Sequence, residues 1–251
     1  MYIINKEIES FFPQECAVIF MHAHPDDESF LSSGLISELH QRNIDVYVYY
    51  CAATNIKDNK LTQKRQDEAK RALYELPNEN IIFLDFCDSC YKQENALSQA
   101  KQSDILSSIL YNLRNIQKHI ILVSYDKNGG YGHIDHLIVH RLGRDIKNRC
   151  KKVKKLYEIT LARDIYNKWI KKNAHQDQKY LPQTKYWNKE YGLPTEEIDY
   201  VYILSLQQAL EKRKKLSVHL SQTSSDEFPL CLTEEDFLYL FGKEYIKEVI
   251  E

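Results

Sequence analysis

The chain has 251 residues, of which 43% are hydrophobic and 28% are charged, with a formal net charge of −2 at pH 7 and a pI near 6.5. A chain of this length can form one large α/β domain and bury roughly three quarters of the surface of its unfolded state. The charge balance argues against general electrostatic binding to nucleic acid or anionic membranes, and no apolar run approaches the ~20 residues that a membrane span needs.

The first residues and the cysteines indicate the compartment. Residues 1–9 carry acids and lack the apolar core of a signal peptide, so we expect a cytoplasmic protein. The six cysteines are scattered, which favours a reduced protein that uses them as small apolar residues. Cys87 and Cys90 form one CxxC pair without a second pair, and a chance pair explains it better than a metal or redox site.

Strand and helix patterns alternate along the chain. The apolar runs that predict strands are residues 17–21, 46–52, 81–86, 120–124, 155–161 and 200–204. The patterns that predict helices cover about residues 29–42, 62–76, 98–117, 135–149, 205–220 and 234–249. This alternation predicts an α/β fold with a Rossmann-like, mostly parallel sheet and helices on both faces.

The predicted topology also indicates where a site would form. In such a sheet, ligands bind beyond the carboxyl ends of the strands, and we expect the active site there. In a 3-2-1-4-5 strand order the first and fourth strands are neighbours. The segments that follow residues 17–21 and 120–124 would then meet, although they are distant in the sequence.

We expect residues 1–251 to form one domain, since no repeat or low-complexity linker interrupts them. Between residues 163 and 199 the pattern dissolves into Lys, Asn, Gln, Tyr and two Trp, which indicates a variable, lid-like segment. Residues 223–251 are predicted to form a C-terminal helical extension.

The first candidate site is His24-Pro25-Asp26-Asp27-Glu28, directly after the first predicted strand. Pro25 favours the first turn of a helix, where residues three apart face the same side, so His24 and Asp27 can bind one cation. Asp26 then points elsewhere and is free to hold a proton. Glu28 has a simpler explanation, because an acid at a helix N-terminus complements the helix dipole.

The second candidate site, Gly130 to His136, follows the fourth predicted strand. From spacing alone, His136 can share a metal with either His133 or His140. His140 lies a turn inside the helix, which favours a packed or surface histidine. Asp135 lies beside His133 and can fix its tautomer. Two histidines and one aspartate with a position open for water form the pattern of catalytic zinc.

These two motifs, HPDDE at residues 24–28 and GHxDH at residues 132–136, resemble those of the LmbE-like, PIG-L-type zinc N-deacetylases. The resemblance extends over residues 16 to about 222. It includes an R-x-x-E-A helix at residues 65–69 and a K-x-x-x-L-x-x-H-x-S-Q ending at residues 212–222. It implies an enzyme that removes acetyl from N-acetylglucosamine attached to inositol, malate, lipids or antibiotics.

The resemblance implies a ligand set for the metal. One zinc ion per chain would be bound by His24, Asp27 and His136, and Fe²⁺ would also suit such a set.

The resemblance also implies roles around the metal. Asp26 would be the general base, and His133, held by Asp135, would polarise the carbonyl oxygen. Zinc can lower the pKa of its water to about 7, which suits this chemistry.

Three residues are candidates for contacts with the substrate: Arg65, Asp88 and Tyr131. Composition alone allows Arg65 to be a surface arginine, and its place in the R-x-x-E-A pattern favours a substrate contact. The chain departs from the family pattern in two places near the motifs. Residues 54–57 lack glycines, and Ile134 replaces a common proline.

The resemblance predicts a small-molecule amino sugar as partner, with no nucleic acid and no membrane span, and it is compatible with a homo-oligomer. Two other functions stay open at this point. One is a metal-dependent amidase for a non-sugar N-acyl substrate, and the other is a non-catalytic sugar-binding homologue. Intact Asp26 and His133 argue against the latter, because binding alone needs neither a proton acceptor nor an oxyanion donor.

Overall fold

A mixed sheet forms the frame of the protein in its computed structural model, which describes residues 1–173 and 190–250. Within these residues the sheet has eight strands in the order β1-β7-β8-β6-β5-β2-β3-β4. The strands are β1 (Tyr2–Ile3), β2 (Cys16–His22), β3 (Asp45–Tyr50), β4 (Ile81–Phe83), β5 (His119–Tyr125), β6 (Val153–Thr160), β7 (Tyr200–Ile203) and β8 (Lys243–Glu248). The predicted α/β class is confirmed, and so is the predicted 3-2-1-4-5 order, which is β4-β3-β2-β5-β6.

The helices connect these strands. They are α1 (Ile8–Phe11), α2 (Asp27–Leu31), α3 (Ser33–Gln41), α4 (Asn59–Ala72), α5 (Gln102–Leu113), α6 (Gly129–Gly132), α7 (Ile134–Arg149), α8 (Arg163–Asn173), α9 (Leu206–Ser217) and α10 (Glu234–Phe241). Every residue of β2 is buried. Strands buried on both faces read as continuous apolar runs, which is why the central strands were recognisable in the sequence.

The helix predicted at residues 29–42 is interrupted at Ser32, which separates α2 from α3. The hydroxyl of Ser32 lies 2.9 Å from Nε2 of His22, a tertiary contact that no local pattern indicates. The predicted end of this region is confirmed, because Asn43 adopts a left-handed conformation with φ of 58°.

The prediction of a helix from 234 to 249 is right for the first half and wrong for the second. Helix α10 ends at Gly242, and residues 243–248 form β8, antiparallel to both β6 and β7. The slot between β6 and β7 explains the change, because both strands have backbone groups there that need partners. The C-terminal extension is therefore part of the sheet and only partly helical.

The prediction of a lid-like segment from 163 to 199 is also wrong in part. Its first residues form α8, in which Tyr166 and Trp169 are buried in the core. The stretch from 174 to 189 lies outside the described residues. No helix in the described part of the chain is both long and apolar enough to cross a membrane.

Candidate active site

The two sequence motifs meet at the carboxyl edge of the sheet. Strand β2 pairs in parallel with β5, so both strands end at the same edge. The imidazole rings of His24, after β2, and His133, after β5, are 4.6 Å apart between centroids. The expected convergence of the two segments is thus observed, and it follows from the strand order.

His136 presents one ring nitrogen to the centre of the site. It lies in the first turn of α7 and is fully buried. Its Nδ1 lies 3.0 Å from the carbonyl oxygen of Gly129, which can only accept, so Nδ1 carries the proton. Its Nε2 has no hydrogen-bond partner among the described residues and faces Oδ1 of Asp27 at 3.2 Å. An imidazole lone pair and a carboxylate oxygen at this distance repel each other, so the arrangement favours a cation bound to both.

His24 has a similar arrangement. Its Nε2 lies 3.0 Å from Oδ2 of Asp135, and its Nδ1 lies 3.5 Å from Oδ2 of Asp27. Burial opposes protonation of His24, but the carboxylates of Asp88, Asp135 and Asp27 raise its pKa well above the ordinary value. This concentration of negative charge around one imidazole favours a bound cation.

Asp27 lies between the two imidazoles, and its own hydrogen bonds hold it there. Its Oδ2 accepts from the backbone N–H of His24 and from the hydroxyl of Tyr125, both at 2.8 Å. Burial disfavours its charge, but His136 and His24 hold the pKa of Asp27 well below its usual range. The carboxylate is therefore ionised and pre-positioned.

The described residues form two clusters whose ligand atoms lie within 4.8 Å of one another. One cluster is His24, His133 and His136, and the other is His24, Asp88, His133 and Asp135. A metal can thus be bound here, and the mixture of nitrogen and oxygen donors suits zinc or iron(II). Neither His140 nor Asp27 belongs to these clusters, although Oδ1 of Asp27 lies 3.2 Å from Nε2 of His136. Nδ1 of His140 lies 3.0 Å from the carbonyl oxygen of Tyr125, which fits the packed histidine that we expected.

The expected contact between His133 and the carboxylate of Asp135 is not observed. Oδ2 of Asp135 is 4.0 Å from Nδ1 of His133, while the backbone N–H of Asp135 donates to that nitrogen at 3.1 Å. The carboxylate instead contacts His24 and Ser89. His133 caps α7, and this geometry turns its carboxylate neighbour away. Asp135 therefore orients His24 through its side chain and His133 through its backbone.

The tautomer of His133 follows from the same bond. Because Nδ1 accepts a hydrogen bond, the proton of the neutral ring lies on Nε2, which is 3.1 Å from Sγ of Cys90. Burial, together with the neighbouring His24 and His136, lowers the pKa of His133 to about 4. His133 is thus a neutral donor that lines the cleft.

Asp26 differs from Asp27 in backbone, position and charge. Its φ of 128° is unusual for a residue with a side chain, and such strain is concentrated at functional sites. It lines the cleft rather than bonding within the metal cluster. Burial, followed by the charge of Asp27, raises the pKa of Asp26 to about 7. A carboxyl group with this pKa can both take up and release a proton near neutral pH.

The predicted substrate residues lie on two sides of the cleft. Arg65, in α4, is only 2% exposed, which excludes the surface arginine that we considered. It donates to Oδ2 of Asp88 and to the hydroxyl of Tyr91, both at 3.3 Å. Burial opposes the charge of Asp88, but His24 and Arg65 lower its pKa to about 2. Tyr131 lies opposite, with its hydroxyl 3.5 Å from Oδ1 of Asp27.

The cleft has a volume of about 350 Å³, and part of its wall was absent from our sequence predictions. That wall is formed by Phe30, Cys90, Tyr91, Leu216, Gln222, Thr223, Phe228 and Pro229. Several of these residues belong to the segment after α9. The S-Q of the terminal motif was the one signal in the sequence that could have indicated this segment.

The chain belongs to the PIG-L family, described as GlcNAc-PI de-N-acetylase, whose profile matches residues 19–147. One relative is the 1D-myo-inositol 2-acetamido-2-deoxy-alpha-D-glucopyranoside deacetylase of Mycobacterium sp. (strain KMS), 25% identical over 188 residues. That match covers 61% of each chain, so the chain spans about three fifths of the length of this curated relative. The family resemblance found in the motifs is confirmed.

Solved structures with the same fold cover nearly the whole chain. A deacetylase from the biosynthesis pathway of teicoplanin superposes with a TM-score of 0.62 at 13% identity, covering 94% of this chain and 99% of its own. The N,N'-diacetylchitobiose deacetylase of Pyrococcus horikoshii gives a TM-score of 0.57 at 17% identity, covering 98% and 90%. At these identities the likeness shows the fold.

Proposed function

We propose that this protein is a metal-dependent hydrolase that removes the acetyl group from an N-acetylated amino sugar of the N-acetylglucosamine type. One observation carries the proposal: His24 and His136 direct ring nitrogens to the two oxygens of one buried carboxylate, that of Asp27. The substrate class is supported by the names of the curated relatives, which are deacetylases of an acetamido-deoxy-glucopyranoside, and of one similar structure, a diacetylchitobiose deacetylase.

In this proposal one divalent cation per chain is bound by His24, Asp27 and His136. Imidazole and carboxylate together favour zinc, and iron(II) also fits. When bound, the cation acts as a Lewis acid toward the amide carbonyl and toward water. His136 donates through Nδ1–H to the carbonyl oxygen of Gly129, and His24 donates through Nε2–H to the carboxylate of Asp135. The opposite nitrogens, Nε2 of His136 and Nδ1 of His24, would be the ones that bind the cation in place of a proton.

Asp26 is the proton carrier of the proposed reaction. Its carboxylate accepts a proton from the attacking water as the new C–O bond forms. The same carboxyl group then gives this proton to the amide nitrogen as the C–N bond breaks, so the products are acetate and a free amine. A pKa of about 7 suits Asp26 to both steps.

His133 stabilises the charge that develops on the carbonyl oxygen. Its Nε2–H lies beside Sγ of Cys90, which also lines the cleft, and the ring is neutral because burial lowers its pKa to about 4. A fixed donor of this kind is worth about 10²–10³ in kcat in other acyl-transfer enzymes.

Arg65, Asp88 and Tyr131 recognise the sugar in this proposal. The buried Arg65–Asp88 pair offers both donors and acceptors for hydroxyl groups. Phe30, Phe228 and Tyr131 provide apolar surface on which a sugar ring can pack.

The direct test is acetate release from a panel of N-acetylglucosaminides that differ in the aglycone. Zinc-loaded protein should release acetate from at least one of them, and Asp26→Asn protein should not. Hydrolysis of simple N-acyl compounds without any turnover of the sugars would indicate that the substrate is a non-sugar amide. If the protein binds the sugars but does not hydrolyse them at any metal loading, the proposal that it is an enzyme is refuted.

A further inference from the structure

We propose that Glu28 and His219 form a positioning pair that holds Asp26 in its functional conformation. The inference rests on the proposed function, since it assigns to Glu28 and His219 a role in placing the general base. It replaces the helix-dipole explanation of Glu28 by a specific set of hydrogen bonds.

The strained backbone of Asp26 is tied directly to Glu28. Asp26 has φ of 128° and ψ of −30°, and its N–H donates to Oε2 of Glu28 at 2.9 Å. Conformations of this kind are unfavourable and persist only where the surroundings hold them. The Glu28 carboxylate provides such a constraint from two residues away.

Glu28 is itself anchored through its other oxygen. Oε1 of Glu28 lies 2.8 Å from Nε2 of His219 and accepts from the hydroxyl of Ser29 at 2.5 Å. Glu28 and His219 are both fully buried. Without His219, a buried carboxylate would lose its main partner.

His219 reaches this position from a distant part of the chain. It lies just after α9, and it does not line the cleft. Two residues later, Ser221 donates through its backbone N–H and its hydroxyl to the buried carboxylate of Glu68. Glu68 belongs to α4, the helix that carries Arg65. The segment after α9 thus fixes both the turn of Asp26 and the helix of Arg65.

This arrangement separates a positioning role from a catalytic one. His219 and Glu28 are 0% exposed and are not among the residues that line the cleft where a substrate would bind. Their effect on the reaction passes through the backbone of Asp26. A displacement of about 1 Å at a reacting group can reduce the rate about 10²-fold, so loss of the pair should reduce kcat rather than raise KM.

The test compares His219→Ala with His219→Gln. His219→Ala should bind one metal per chain and keep its KM, while kcat falls about 10- to 100-fold. In His219→Gln the amide nitrogen can donate to Glu28, so most of kcat should return. Tyr202→Phe is the control. It removes hydrogen bonds to Glu38 and Gln208, at the far end of α9, and should leave kcat unchanged.

Wild-type kcat in folded, metal-loaded His219→Ala protein would overturn the inference. So would an equal loss in Tyr202→Phe, because that loss would reflect general destabilisation. Crystal structures of the wild type and His219→Ala separate this inference from the proposed function. If the wild type hydrolyses no substrate, the proposed function fails. The positioning role of Glu28 and His219 is then tested only by the backbone conformation of Asp26 in the two crystal structures. In His219→Ala protein the φ of Asp26 should no longer be positive. An unchanged conformation of Asp26 would refute the inference that Glu28 and His219 position it.

Discussion

At the scale of single residues, the site depends on what each imidazole contacts on its far side. Gly129 fixes the tautomer of His136, and Asp135 takes the same part for His24. Each bond directs the opposite ring nitrogen toward a carboxylate oxygen of Asp27. This arrangement requires a glycine at position 129. Gly129 has φ of 62°, and an added Cβ would lie 2.9 Å from Cβ of His136.

His136→Ala should abolish stoichiometric metal binding, because it removes one of three donors from the proposed set. Elemental analysis of the purified protein measures this directly. His140→Ala is the matched control and should keep its metal, since His140 bonds to the carbonyl of Tyr125. Full metal occupancy in His136→Ala would show that His133 or Asp88 completes the set instead.

Asp26→Asn should retain fold and metal but lose hydrolysis, because an amide cannot accept the proton of the attacking water. Loss of a general base costs on the order of 10²–10⁴ in rate. The measurement is kcat for acetate release, with metal content determined on the same sample. Wild-type turnover in this variant would place the base elsewhere.

Arg65→Ala should reduce kcat/KM for the true substrate about 10- to 200-fold, as expected for an anchor worth ~1.5–3 kcal/mol. A small acetamide that cannot reach Arg65 should be hydrolysed equally well by both proteins. Because Arg65 also neutralises Asp88, the variant Arg65→Ala with Asp88→Asn serves as a control for the unpaired charge. If both substrates lose rate equally, Arg65 supports the metal site and is not a recognition residue.

At the scale of elements, β8 is the largest departure from expectation. Its residues follow a helix and are rich in Lys and Glu, which favours continuation of that helix. The unpaired edges of β6 and β7 overcome this preference, because β8 pairs with both. Local propensity is a weak preference, and a sheet slot with many hydrogen bonds outweighs it.

Ile246→Asn tests the strand. Ile246 is 1% exposed in β8, and burying an amide there should reduce the free energy of unfolding by about 3–5 kcal/mol. Ile250→Asn, at a position that is 84% exposed, should have little effect. Urea unfolding monitored by circular dichroism measures both variants. Equal stability of the two would contradict the central placement of β8.

At the scale of the whole molecule, the proposed cation would connect segments that are distant in the sequence. The donors follow β2 and β5, and the cleft wall comes from the segment after α9. A ligand that binds only the folded state stabilises it, by about 2.7 kcal/mol when its concentration is roughly 100 times Kd. Metal binding should therefore stabilise the fold as a whole.

Chelation tests this coupling. Treatment with EDTA should lower the Tm by about 5–10 °C, and added Zn²⁺ should restore it. In His136→Ala protein the same treatment should not change the Tm, because the variant has no cation to lose. A chelator-induced shift of equal size in that variant would mean that the stabilising metal is bound elsewhere.

The sequence by itself predicted the class of fold and the positions of the two candidate metal-binding motifs at the ends of apolar strands. Buried parallel strands are continuous apolar runs, and ligand-type residues cluster at their ends, so both features are local in the chain. The roles proposed for His24, Asp26 and Asp27, and for His133 and His136, rest on these motifs together with the resemblance to the family, whose profile matches residues 19–147.

Only the tertiary structure decided which partner each side chain has. Asp135 turns to His24 rather than to its neighbour His133, Ser32 interrupts a helix by contacting His22, and residues 243–248 become a strand. Glu28 likewise meets His219 across most of the chain. These outcomes depend on contacts between residues far apart in sequence, whose energies exceed local preferences and leave no periodic pattern by which they could be predicted.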